Sequence, residues 1–220
     1  MVIKLPTSKI KSLSMGFVEI KGKVKEAEVL LKSPLNQMSC VYYNLHIEKW
    51  VRRGKNSSWQ TIFNKTKKSL FYLIEDSEKI LIDIQGAEIN FKKDIDIKTG
   101  DFKSMPNYIK IFFEKEDIVK KSLGIKNKLR IREIYIKPND ELYIMGTIMK
   151  NNKLDSIKDS GNFKIGKSFN FPYFYISDFT EKEILSQLSW KIPFQIFCGG
   201  ILTLFSFYNI ILISIKNRLF

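Results

Sequence analysis

The chain has 220 residues, 44% of them hydrophobic and 13% aromatic, which is ample for a packed core and excludes disorder as the main state. A formal charge of +14 favours an anionic partner such as a lipid headgroup, a nucleic acid or an acidic protein, although the surplus of lysine and isoleucine also reads as compositional bias. Two cysteines, Cys40 and Cys198, exclude a disulfide framework of the kind that staples small secreted domains.

The first thirty residues hold no apolar run of signal-peptide length, because lysines and serines interrupt MVIKLPTSKIKSLSMGF every few positions. From Gly16, GFVEIKGKV sets Phe17, Ile20 and Val24 among charges and predicts a strand. SPLN at Ser33 is turn chemistry, and the following CVYYNLHIEKW predicts a second strand carrying Cys40 and the chain's one histidine, His46. On one strand these two share a face yet stand about 20 Å apart at roughly 3.3 Å per residue, so no thiol-imidazole pair is expected. Cys40 is instead expected to be a buried structural thiol.

SLFYLIED from Ser69, KILIDI from Lys79, LRIREIYI from Leu129 and ELYIMGTIMK from Glu141 predict further strands, bounded by RRGKNSS, EDSEK and KPND. MGFVEIKGKV and ELYIMGTIMK look like weak echoes of one another, each with a glycine inside a strand, a feature of bulges and sharp bends in small barrels. Residues 92–110 and 151–167 are expected to be long loops. Helices are expected over residues 114–123 and in TEKEILSQL, where Thr180 caps and Glu183 occupies the capping-box position.

The run IPFQIFCGGILTLFSFYNIILISI begins at Ile192, ends at Ile215 and contains no charged residue or histidine. As a helix it reaches about 36 Å, enough to cross a hydrocarbon core of about 30 Å. Trp190 and Lys191 before it and Lys216 and Arg218 after it suit headgroup level. Cys198, Gly199 and Gly200 make a small-residue patch that would let a second helix, including one from another copy of the chain, approach closely.

The expected fold class is α+β, mainly β. Residues 1–190 form a small twisted sheet or barrel-like domain with a few helices, 191–216 one transmembrane helix and 217–220 a short basic tail. The expected topology is single-pass with the domain cytoplasmic, while an apolar segment upstream of Met1 would add a second span.

No Walker loop, GxSxG, HExxH or dinucleotide fingerprint is present, and no cofactor or metal is expected. The carboxylates Glu75 with Asp76, Glu114 with Glu116 and Asp117, and Asp140 with Glu141 read as solvated turn acids. Charge is the stronger signal. Residues 49–68 carry seven basic side chains and no acid, interleaved with Trp50 and Trp59, and residues 119–132 carry six more. Such a pattern suits single-stranded nucleic acid by stacking and phosphate contact, or an anionic leaflet at about 1 kcal/mol per basic residue. With a membrane span already expected, the lipid surface needs one fewer assumption. Arg52, Arg53, Lys55, Lys67 and Lys68 are its candidate contacts.

Several segments stand in a recognisable order: PTSKI at Pro6, MGFVEIKGKV at Met15, LKSPLNQMSCVYY at Leu31, Trp59, FYLIEDSEKILIDIQGAE at Phe71, LRIREIYIKPNDELYIMGTI at Leu129 and YISDFTEKEI at Tyr175. This order resembles the GIDE-type family. Its domain, also called BAM for "beside a membrane", occurs in prokaryotic membrane proteins and in mitochondrial and chloroplast RING-type ubiquitin ligases. The resemblance implies a β-rich membrane-associated domain that binds proteins or organises membrane components. It carries ubiquitin-ligase chemistry only where a zinc-binding RING is present, and two cysteines with one histidine cannot fill even one such site of the usual composition. A further departure is that family members usually have a membrane helix before the PTSKI-like stretch.

Overall fold

A computed structural model describes residues 9–99, 105–118, 128–151 and 163–180, and the single positions 183, 186, 199, 200, 203 and 206. The chain divides into two compact units, Met1–Asp178 and Phe179–Phe220. In the first, a 3-10 turn at Ile10–Ser12 precedes strands β1 (Gly16–Glu26), β2 (Leu31–Lys32), β3 (Ser39–Cys40), β4 (Tyr42–Arg53), β5 (Asn56–Lys68), β6 (Phe71–Glu75) and β7 (Glu78–Ile82). These are followed by β8 (Glu88–Asn90), β9 (Ile95–Thr99), helix α1 (Asn107–Lys115), β10 (Leu129–Ile136), β11 (Glu141–Lys150), β12 (Phe163–Gly166) and β13 (Tyr175–Ser177). The unit is mainly β with one short α-helix among its described residues, as its strand periodicities predict.

Five strands close on themselves in the order β1-β6-β7-β12-β11, with β11 returning to β1, and β13 and β8 extend the sheet from β11. Alternation fills the interior with Ile20, Val24, Leu73, Ile82, Ile144 and Ile165, all essentially inaccessible, while charged residues on β1 such as Lys21, Lys23 and Lys25 face out. The two glycine-bearing segments that echo each other are β1 and β11, antiparallel partners that pair Val18 with Gly146 and Gly22 with Leu142. Each glycine sits where a side chain has no room. A Cβ on Gly22 would stand 2.5 Å from the Ile74 carbonyl oxygen, and one on Gly146 would stand 2.8 Å from both Ile165 and Phe174.

A second sheet runs β5-β4-β10-β9. Its inner face presents Leu45, Ile47, Ile95, Leu129 and Ile131 to α1, which answers with Ile109, Phe112 and Phe113 at helical spacing. Antiparallel sheets covered on one side leave the other for solvent or a ligand. β4 and β5 form a long hairpin whose register slips at Ile47/Glu48, leaving Ile62 without a partner across the ladder.

Two loop assignments need correction. Residues 92–110 contain β9 and the start of α1, because Ile95 and Thr99 bury against the sheet despite their lysine and aspartate neighbours, and Pro106 takes an extended conformation that starts the helix. The helix therefore begins earlier than residues 114–123, and 119–127 lie outside the described residues. Residues 163–166, expected in a loop, form β12. The capping box is present as predicted: the Thr180 N–H donates to Glu183 Oε2 at 2.8 Å, and the Glu183 N–H donates to Thr180 Oγ1 at 3.3 Å.

No helix among the described residues is long and apolar enough to cross a membrane. The expected span, including Ile192 and Ile215, lies outside the described residues except for four helical, exposed positions, Gly199, Gly200, Thr203 and Ser206.

Candidate functional site

The outer face of the four-stranded sheet carries the densest arrangement of functional side chains. Asn44, His46, Glu48 and Trp50 of β4 and Arg130 and Arg132 of β10 point there, opposite the core residues Leu45, Ile47, Leu129 and Ile131, whereas Tyr42, Ile134 and Ile136 at the far end of the same strands pack into the barrel core. Trp50 and Trp59 are cross-strand partners and meet edge to face, ring centroids 5.1 Å apart at 61°. The Arg130 guanidinium lies 4.1 Å from the centre of the Trp59 ring. Glu48, on β4 beside β10, accepts from Arg132 at 2.5 Å and from Arg130 at 3.4 Å.

His46 completes the row. Arg132 approaches its Nδ1 at 3.3 Å, and a guanidinium only donates, so Nδ1 is the acceptor and the ring is neutral. Its Nε2–H then donates to Thr61 Oγ1 at 2.9 Å. Partial burial pushes His46 below its ordinary value, Glu48 opposes that shift and Arg132 adds to it. The row His46, Arg132, Glu48, Arg130, Trp59, Trp50 thus fixes two guanidinium groups and exposes aromatic edges. It suits recognition, since every ionised group in it is held by a neighbour.

Arg52, Arg53 and Lys55 crown the tip of the β4–β5 hairpin, around Gly54 with φ +59°, and are exposed. Lys67 and Lys68 are also exposed but pair with Tyr43 and Tyr42 at the other end of β5. About 40 Å of strand separates the two groups at roughly 3.3 Å per residue, so the five cations form two patches.

Cys40 and His46 do not share a strand, because the chain breaks at Val41 between β3 and β4. Cys40 is buried, and burial, then the Glu133 charge, raises its thiol pKa to about 11, leaving it protonated and inert as expected. The carboxylates expected as solvated turn acids are only partly so: Glu75 ends β6, Glu114 lies in α1 and Glu141 starts β11. Glu75 accepts the Ile10 N–H at 2.8 Å, Glu116 pairs with Lys65 at 2.9 Å, and Asp140 accepts the Lys137 N–H at 2.8 Å beside Asn139, with φ +71°.

One carboxylate escapes the sequence reading. Glu133 occupies a core position of β10 and is fully buried; its Oε1 accepts the Leu35 N–H at 2.9 Å and its Oε2 has no hydrogen-bond partner. The visible signal is a glutamate at the inward register of LRIREIYI. Among the described residues no group of three or more histidine, cysteine or carboxylate side chains could hold a metal ion.

Neither the curated proteins nor the solved structures contain a match to this chain. A family model does match: GIDE, described as E3 Ubiquitin ligase, over residues 42–207. That stretch begins with β4, includes the whole outer sheet face and the barrel strands β6, β7, β11 and β12, and spans most of the sequence, so the chain belongs to the GIDE family.

Proposed function

We propose that this chain is a membrane-anchored, non-catalytic interaction module of the GIDE type that binds a protein partner through the outer face of its four-stranded sheet. The observation that carries the reading is the Trp50–Trp59–Arg130 stack on that face. Tryptophan and arginine supply most hot-spot energy in protein interfaces, and here both are already held in place, so little conformational freedom is lost on binding. The anchor is the uncharged run from Ile192 to Ile215, long enough for a bilayer.

The family description supports a second reading, ubiquitin transfer. A zinc-dependent ligase module needs several sites of four thiolate or imidazole ligands, and these 220 residues contain two cysteines and one histidine. An anionic-lipid contact built from all five of Arg52, Arg53, Lys55, Lys67 and Lys68 is less favoured, because they sit at two ends of the hairpin.

Cross-linking of the full chain in its native membrane, followed by mass spectrometry, tests the main reading. Trp50→Ala combined with Trp59→Ala should reduce recovery of the cross-linked partner about tenfold or more while the protein keeps its near-ultraviolet circular dichroism. Unchanged recovery would reject this face as the interface. Discharge of a ubiquitin-loaded carrier by purified protein, above a no-protein control, would replace the non-catalytic reading with the second one.

A further inference from the structure

Between β12 and Phe174, the segment KSFNFPY leaves the barrel and returns to it. Its ends are fixed: Ile165 and Phe174 are buried in the barrel core, and the Phe174 carbonyl accepts the Glu88 N–H at 2.7 Å. Between them, Phe169 is 100% exposed, Tyr173 76% and Phe171 51%. Three large, exposed aromatic side chains within five positions, held out from the barrel, constitute an apolar patch rather than scattered surface residues.

The patch continues onto the start of β1. Phe171 meets Phe17 with ring centroids 6.4 Å apart. Two residues before Phe17, Met15 is 63% exposed and lines, with Phe163, Ile10 and Leu13, a cavity of about 180 Å³. From Phe163 to Ser177 the sequence contains two lysines and no carboxylate; Lys164 is paired with Asp83 at 2.8 Å, and Lys167 is exposed.

We infer that this aromatic loop is a bilayer contact, inserting Phe169, Phe171 and Tyr173 at the headgroup level of a membrane surface. The inference rests on the membrane-anchored reading above and adds to it a second point of attachment on the barrel. Aromatic rings favour the membrane-water interface, and an exposed lysine beside them, here Lys167, favours anionic headgroups. A standard protein interface needs roughly 800 Å² of complementary surface per partner. A bilayer sets no such threshold. Only 14 residues separate Ser177 from the apolar run at Ile192, so a span there would hold the loop at high effective concentration near lipid.

The test uses the full chain reconstituted in vesicles containing phosphatidylglycerol, with a benzoylphenylalanine photo-cross-linker in place of Phe169. The control places the same group at Val29, which is 86% exposed beyond the opposite end of β1. Because Phe169 is fully exposed, its replacement leaves the fold unchanged. Irradiation should give lipid adducts at position 169 at least about tenfold above those at position 29. Adducts to protein, whether a second copy or another chain, or lipid adducts no more abundant than at position 29, would overturn the inference. An alkaline carbonate wash with vesicle flotation reads the anchor separately: protein released by the wash contradicts the span whatever the loop has labelled, and protein that stays while position 169 fails to label lipid leaves the anchor standing and removes the loop.

Discussion

Glu133→Ala is expected to cost about 3 kcal/mol of folding stability, whereas Glu133→Gln costs about 1 kcal/mol or less. The carboxylate, fully buried on β10, holds a loop 98 residues away by accepting the Leu35 N–H. That loop is otherwise closed by its own bonds, with the Ser33 N–H donating to the Met38 carbonyl and the Gln37 N–H to the Ser33 carbonyl. Alanine leaves the Leu35 donor buried and unpaired and opens a cavity; glutamine keeps the acceptor and the volume.

Charge adds a pH signature. Burial raises the Glu133 pKa above its ordinary value of 4.5, the Leu35 and Asn36 amides pull it back, and the Asp94 charge pushes it further up. Above about pH 4.5 the folded protein therefore binds more protons at this site than the unfolded chain does. Stability contributed here falls as pH rises through the folded pKa and is regained toward acid. Thermal melts of the full chain should show Glu133→Gln gaining on the wild type from pH 4 to pH 7, and a constant difference would mean that Glu133 titrates normally.

Gly22→Ala should cost about 2–3 kcal/mol, although alanine normally improves on glycine in a strand by roughly 0.5–1 kcal/mol. The new Cβ would meet the Ile74 carbonyl oxygen at 2.5 Å and Leu73 Cγ at 3.0 Å, where β6 crosses β1 to close the barrel. A backbone oxygen cannot turn aside as a side-chain tip can, so the strands must part. Gly54→Ala is the matched control: it has open space around it but φ +59°, and should cost about 1 kcal/mol from backbone strain alone. Equal losses at the two positions would show that barrel closure does not depend on the close approach at Gly22.

Most of the architecture is legible because half-buried strands leave a period of two. Ile20 and Val24 mark the inward face of β1, with Phe17 on the opposite face against Phe171, and Leu129 and Ile131 mark β10. Barrel closure is not legible, since it depends on a parallel pairing of β7 with β12 through Lys164↔Leu81 and Ile165↔Ile82, between segments more than 80 residues apart. β9 carries the same alternation, Ile95, Ile97 and Thr99 against Asp96 and Lys98, but it is only five residues long and sits in a lysine-rich stretch that reads as loop. In the site, the interleaving of Trp50 and Trp59 with basic residues is visible in the sequence, but Arg130 over Trp59 and Glu48 between two arginines are cross-strand contacts that no local pattern encodes. The exposed Phe169, Phe171 and Tyr173 are equally hidden, because aromatic residues beside a core strand ordinarily read as core.

The central claim is that one face of the β4–β5–β10–β9 sheet is the protein-binding face. Asn64, opposite His46, is exposed on that face, and Ile111, 65% exposed, lies on the helix that covers the other. A photo-cross-linker at each position in turn, in the full chain within its native membrane, compares the two faces directly. Discrete protein adducts at position 64, about tenfold above those at position 111, are the predicted result. Equal adducts at both positions, or adducts confined to position 111, would contradict it.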